Sequence, residues 1–149
     1  MEKLKLFIIA GEKSGDNHAS ALLSEIQKYA ETEVSGTGGA GLKALGQKQF
    51  YDINEMNAIG IDEAIRKLPF LLKVRDRLVA EIKQNRPDAV ILVDYPGFNL
   101  RFAGYAKELG IPVIFYISPT FWAWHYSRVK KLRQFCDLVL CIYPFEPEM

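Results

Sequence analysis

Short, unbroken apolar runs, each ended by a glycine or an aspartate and followed by a helix-like stretch, limit the fold of this chain more than any other feature. Leu4–Ala10 is such a run, closed by Gly11, and residues 17–29 then place Leu22, Leu23 and Ile26 at helical spacing. Ala89–Val93 repeats the pattern: the run ends at Asp94, a loop is expected over residues 95–99, and residues 100–108 read as a helix closed by Gly110. Residues 113–117, entered through Gly110 and Pro112, and residues 138–142 read as further strands. Residues 32–35 and 50–52 read as short strands, the second ahead of a helix that begins near Ile61. Strands that are apolar along their whole length must be covered on both faces, which is the condition of a parallel sheet with crossover helices. The expected fold is therefore α/β: a Rossmann-like parallel sheet with helices on both faces, as one domain over residues 1–149.

Composition removes several classes of function. With 49% hydrophobic and 25% charged residues and a net charge of +1, the chain resembles neither a disordered segment nor a nucleic-acid-coating protein, and no nucleic-acid partner is expected. Its apolar runs fall far short of the roughly 20 residues that span a bilayer, and no signal-peptide pattern is present, so the chain is expected to start in the cytoplasm. Cys136 and Cys141 flank one short strand and are read as reduced core or near-core residues, with no disulfide framework and no metal site between them.

Open parallel sheets bind ligands outside the carboxyl ends of their strands, and the unusual residues of this chain fall there. In Gly11-Glu12-Lys13-Ser14-Gly15-Asp16 the glycines allow close backbone approach, and Ser14 or Asp16 is suited to cap the next helix, whereas the turn itself has no need of Glu12. Gly36-Thr37-Gly38-Gly39-Ala40-Gly41 satisfies G-x-G-x-x-G but follows a later strand than the dinucleotide fingerprint does. It reads either as a loop whose amides face a sugar or phosphate, with Gly38 and Gly39 at its centre, or as a chain reversal. Asp94 stands at the mouth of the sheet with one side shielded from water. This suits a carboxylate to proton abstraction; the alternative is a carboxylate that caps the helix near Leu100 or pairs with a nearby base, and the Asn99 amide could orient a hydroxyl or cap the same helix.

Phe121, Trp122 and Trp124, after Ser118 and Pro119, offer aromatic surface for a sugar ring or an acyl chain, or else pack the core. His125 adjoins them, but no Gly-x-Ser-x-Gly elbow exists and His18 belongs to a separate helix, which argues against a serine hydrolase. Residues 66–78 carry Leu68, Phe70, Leu71, Leu72, Val74 and Leu78 among Arg66, Lys67, Lys73, Arg75 and Arg77, with Pro69 expected to kink the helix. That is either a basic amphipathic helix with apolar surface to spare for an anionic bilayer, or a core helix with a solvated basic face. Arg128, Lys130, Lys131 and Arg133 form a second basic cluster, suited to phosphate or simply solvated.

Taken in order, Ala10 to Asp16, the Gly36 to Gly39 segment, Asp94-Tyr95-Pro96-Gly97-Phe98-Asn99-Leu100, Tyr116-Ile117-Ser118-Pro119, Trp122-Ala123-Trp124 and Pro144-Phe145-Glu146-Pro147 resemble the lipid A disaccharide synthase family over nearly the whole chain. The resemblance implies the amino-terminal half of a GT-B glycosyltransferase, a peripheral enzyme of the cytoplasmic face of the inner membrane. It further implies transfer of 2,3-diacylglucosamine from its UDP derivative to 2,3-diacylglucosamine 1-phosphate (lipid X) with release of UDP, and no metal or other cofactor. On that reading Asp94 is the general base for the acceptor hydroxyl, with Glu12 beside it as the second catalytic candidate. Ser14, Gly15, Asp16, Gly38, Gly39, Asn99, Ser118, Trp122, Trp124 and Arg128 are the substrate-binding candidates, and Leu68, Leu71, Leu72, Lys73 and Arg75 the membrane surface. Direct attack by a base-activated hydroxyl would invert the sugar carbon. Gly97 departs from the acidic residue often found at its place, so no role passes to it. The Pro-Gly-Ser-Arg and Ser-Gly-Thr motifs of the family's donor-binding half are absent, so the chain alone is expected to be inactive. A reading of another class remains beside this one: a stand-alone nucleotide-binding or flavodoxin-like module that uses residues 36–41.

Overall fold

The computed structural model describes residues 3–56, 60–116 and 136–140. In chain order the elements are β1 (Leu4–Ala10), α1 (Lys13–Ile26), β2 (Thr32–Gly38), α2 (Ala40–Ala44), β3 (Lys48–Asp52) and α3 (Ile53–Met56). After these come α4 (Gly60–Gln84), β4 (Ala89–Val93), α5 (Pro96–Glu108), β5 (Val113–Tyr116) and β6 (Leu138–Leu140). The described strands form one sheet of six in the order β3-β2-β1-β4-β5-β6, with every pairing parallel. The chain winds outward in one direction from β1 and in the other from β4. The boundary between these two strands is thus the switch point of a doubly wound fold.

Side chains of a strand alternate between faces, and here both faces are apolar because both are covered. Phe7, Ile9, Val90, Leu92, Val113 and Phe115 meet Val74, Leu78 and Ile82 of α4 and Phe102, Ala103 and Ala106 of α5. On the other face Leu6, Ile8, Ala10, Ile91 and Val93 meet Ala19 and Leu23 of α1 and Leu42 of α2. An aromatic row, Phe50, Phe7, Phe102 and Phe98, runs through the first layer with successive ring centroids 6.3, 6.0 and 6.1 Å apart. The expected doubly covered sheet is what the chain adopts.

Several boundaries differ from the sequence reading, each for a local reason. Helix α1 begins at Lys13 rather than near residue 17, so the last four residues of the Gly11 to Asp16 motif are its first turn rather than a loop. Neither Ser14 nor Asp16 caps it: Glu12 is the N-cap, and its side chain makes no cap hydrogen bond. Strand β2 continues through Gly36, Thr37 and Gly38, so the expected glycine loop is half strand. Gly36 has φ 135 and its pairing with β3 slips there, and any Cβ at Gly36 would lie 2.0 Å from the Ile8 carbonyl oxygen. Helix α5 starts at Pro96, absorbing most of the expected loop, because proline at the first helical position gives up only an amide that has no helical partner. Helix α4 runs as one helix with Pro69 inside it.

Candidate active site

The site is built where β1 and β4, adjacent strands at the switch point, release their chains. β1 ends at Ala10, and Gly11 and Glu12 lead into α1; β4 ends at Val93, and Asp94 and Tyr95 lead into α5. Two helix amino termini with no side-chain cap therefore face the same edge of the sheet, an arrangement that favours negative charge nearby.

Asp94 and Tyr95 are the two non-glycine residues with positive φ, at 49 and 52, among those described. Left-handed backbone costs an L residue about 1–2 kcal/mol, so two in succession need compensation. The compensation is visible around them. Asp94 N donates to Tyr116 O at 3.1 Å, the Tyr95 hydroxyl donates to Met56 O at 2.6 Å, and Asn99 Nδ2 donates to Asp94 O at 2.7 Å. The Tyr95 ring lies edge-on to Phe98, 6.1 Å between centroids, and packs against Gly11. A Cβ at Gly11 would sit 1.7 Å from Tyr95 Cδ1, so Gly11 is glycine because Tyr95 occupies the space. Burial, and then the Glu12 carboxylate, raise the Tyr95 phenol above its ordinary value, placing Glu12 and Tyr95 within electrostatic reach. Sequence reasoning passed over Tyr95. Its signal lay in the pairing of Gly11 with a bulky residue before proline, which only the sheet order brings together.

The predicted residues separate into two groups. Glu12, Ser14 and Asp94 come to the carboxyl edge of β1 and β4, where the unpredicted Tyr95 joins them; Glu12 and Ser14 are exposed and Asp94 is half-buried. Asp16, by contrast, is 3% exposed and its carboxylate accepts three amides: Gly39 N at 2.7 Å and Leu42 N at 3.1 Å on Oδ1, and Gly41 N at 2.9 Å on Oδ2. It caps α2 rather than α1. The same bonds occupy the amides of Gly39 and Gly41, which the sequence reading offered to a sugar or phosphate. Gly38 is buried at the end of β2, and a Cβ there would come 2.5 Å from Gln47 Oε1. Gln47 is a residue that pattern reading missed: buried, it donates to Ile8 O at 3.0 Å and Thr37 O at 3.1 Å beside the slip in β2. Gly15 is buried against Ala10 and Val93, with room for a Cβ at 3.6 Å from each. Asn99 neither caps α5 nor reaches solvent: it is 0% exposed and turns back toward β4.

Ser118, Trp122, Trp124, Arg128 and Cys141 lie outside the described residues, as does the Leu68 side chain. On α4, Val74, Leu78 and Ile82 are buried, Leu71 is half-buried, and Leu72 and Lys73 are exposed. Arg75 bonds Asp76, which raises the guanidinium pKa, and lies 5.7 Å from the Tyr105 ring centroid, so part of the basic face has partners within the fold. Among the described residues, no helix is long and apolar enough to cross a membrane, and no group of three or more His, Cys, Asp or Glu could hold a metal ion. Cys136 is half-buried and unbonded, with burial first and Asp137 second pushing its thiol up to about 12. A hollow of about 250 Å3, lined by Lys5, Glu33, Lys48 and Glu81 among others, lies at the amino ends of the strands, opposite the site.

Fold and site together define a doubly wound α/β domain whose candidate residues gather at its switch point. Residues 6–149 match the family model for lipid-A-disaccharide synthetase, and the chain belongs to that family. It is 39% identical over 145 residues to the lipid-A-disaccharide synthase of Myxococcus xanthus, covering 97% of this chain and 38% of that protein. To lipid-A-disaccharide synthase 1 of Legionella pneumophila it is 40% identical over 144 residues, 95% of this chain and 38% of the relative. The chain thus spans under two-fifths of the length of these relatives. Among solved structures it shares its fold with UDP-GlcNAc 2-epimerase from Neisseria meningitidis bound to UDP-GlcNAc, at 15% identity and a TM-score of 0.61, covering 93% of this chain and 40% of the other.

Proposed function

We propose that this chain is the acceptor- and membrane-side domain of an enzyme that joins UDP-2,3-diacylglucosamine to lipid X and releases UDP, with the donor site in a carboxyl-terminal domain. Family membership supports the reaction. The observation that carries the site is the meeting of Gly11 and Glu12 with Asp94 and Tyr95 at the switch point. Asp94 is the general base that takes the proton of the acceptor hydroxyl as the hydroxyl oxygen attacks the donor sugar carbon. Glu12 and Ser14, exposed at the uncapped start of α1, contact the acceptor. The relatives' greater length is consistent with a second domain. Holding two substrates together supplies roughly 7–11 kcal/mol of barrier reduction, which half a cleft forgoes.

The membrane contact is proposed for α4, through Leu72 and Lys73, which are exposed, and Leu71, half-buried beside them. Ser118, Trp122, Trp124 and Arg128 stay in the proposal as acceptor contacts on the strength of the motif. Asp16 and Asn99 enter it as supports of the crevice rather than as ligands. The alternative module built on residues 36–41 is disfavoured by the amides that Asp16 occupies and by Tyr95. The Tyr95 ring covers the first strand-to-helix turn, where a dinucleotide pyrophosphate would approach the backbone. The test is Asp94→Asn in an enzyme in which this chain is continued by the part its relatives possess. Turnover should fall at least about 100-fold with little change in substrate binding, and near-normal turnover would remove the assignment.

A further inference from the structure

We propose that Asn99 is a positioning residue that sets the direction of the Asp94 carboxylate from beneath its turn without touching a substrate. This rests on the reading of Asp94 as the base. The direction in which a side chain leaves the backbone is set by the two peptide planes that flank its Cα. For Asp94 these planes end in the carbonyls of Val93 and Asp94, and Asn99 Nδ2 donates to both, at 3.4 and 2.7 Å. One carboxamide therefore holds φ and ψ of a residue kept at φ 49, where an aspartate released from restraint would move toward negative φ. Asn99 N also donates to Tyr95 O at 2.9 Å, closing the first turn of α5 around the same pair.

The residue type agrees with this assignment. Two carbonyl acceptors require donors, so aspartate, similar in size, would replace attraction by repulsion. Asn99 Oδ1 is buried and has no hydrogen-bond partner among the described residues, so the bonds this side chain makes there are those of its amide N–H groups. With the side chain 0% exposed, no substrate reaches it, and any influence on chemistry passes through the turn.

The experiment is a double-mutant cycle between positions 99 and 94 in the complete enzyme, made with Asn99→Ala and repeated with Asn99→Asp. Each single variant at 99 is expected to lower kcat about 10- to 100-fold, the scale of a misplaced catalytic group, with KM for the acceptor within about 2-fold of the parent. In the Asp94→Asn background the same changes should lower kcat less than about 2-fold further, because there is no carboxylate left to aim. Losses that multiply across the two positions would overturn the proposal, as would a kcat near that of the parent or a loss expressed in KM. Failure of both variants to fold, read from the thermal melt, would overturn it in favour of a purely structural role. If Asp94→Asn alone keeps near-normal turnover, the general-base reading itself fails. If that variant is inactive and the cycle multiplies, only the positioning role fails.

Discussion

Replacing Asp16 by alanine should destabilise the domain more than any other change in the Gly11 to Asp16 motif, and by an amount the geometry sets. The carboxylate accepts three amides at 2.7, 2.9 and 3.1 Å from a site only 3% exposed. A hydrogen bond to a charged group contributes about 1.5–3 kcal/mol, and loss of a helix cap alone costs about 0.5–2 kcal/mol. The three bonds share one carboxylate and are not additive, so the expected loss is about 3–4 kcal/mol, a large part of the 5–15 kcal/mol that holds a typical domain together. With a urea slope of about 2 kcal/mol/M, the midpoint should fall by about 1.5–2 M with the slope unchanged. Asp16→Asn separates the bonds: Oδ1 keeps Gly39 and Leu42, while an amide group is set against the Gly41 N–H, so roughly half the loss is expected. Ser14→Ala, at an exposed position without a cap bond, should shift stability by less than about 0.5 kcal/mol. A midpoint shift below about 0.5 M for Asp16→Ala, or an Asn variant weaker than the Ala one, would refute the reasoning and return Asp16 to the ligand-contacting set.

Gly11→Ala should cost about 2–3 kcal/mol in the same urea assay, because the Tyr95 ring must leave its place and its bond to Met56 O. In a Tyr95→Ala background the same change should be nearly neutral, and an unchanged penalty there would show that the ring is not the obstacle. Cys136 in a Cys141→Ser chain should react with iodoacetamide at pH 8 at least about 100-fold more slowly than a free thiol, because a thiol pushed up to about 12 has almost no thiolate at that pH. Since the folded value lies above the ordinary 9.0, this group's contribution to stability is complete below pH 9 and is lost as pH rises toward 12, so the urea midpoint should fall across that window. For α4, replacing Leu71 and Leu72 with serine should weaken flotation with anionic vesicles about 10-fold or more if the helix meets the bilayer. Unchanged flotation would confine α4 to its role against the sheet.

The sheet was legible because both of its faces are buried. Leu6, Ile8 and Ala10 serve one layer and Phe7 and Ile9 the other, so β1 reads as a continuous apolar run, and β4 does the same with Ile91 and Val93 against Val90 and Leu92. The helix starts were misplaced because the usual signals point elsewhere. Asp16 reads as a cap for its own helix but bonds amides 23 to 26 residues further on, a relation no local window contains. The glycine cluster reads as a loop because glycine breaks isolated strands, yet Gly36 is strand at a slip against the Ile8 carbonyl. Tyr95 went unnoticed because its partner, Gly11, is more than eighty positions away and adjoins it only through the β1–β4 pairing.

These misreadings share a cause that bears on function. A motif at a switch point holds two kinds of residue, those exposed at the strand ends and those that fix the backbone beneath them, and sequence alone gives both the same prominence. Burial separates them: Asp16 and Asn99 spend their polar groups on amides and carbonyls inside the fold, and Gly11 yields space to Tyr95. Glu12, Ser14 and Asp94 retain solvent exposure at the carboxyl edge, which is what the proposed contact with an acceptor requires. Substitutions in the first set should therefore register in stability or in kcat through geometry. Among those in the second, Glu12 and Ser14 should register chiefly in acceptor affinity and Asp94 in kcat. A Glu12→Gln enzyme, measured for KM of the acceptor and for its urea midpoint, distinguishes the two: the expected result is a raised KM with an unmoved midpoint, and the reverse would place Glu12 among the supports.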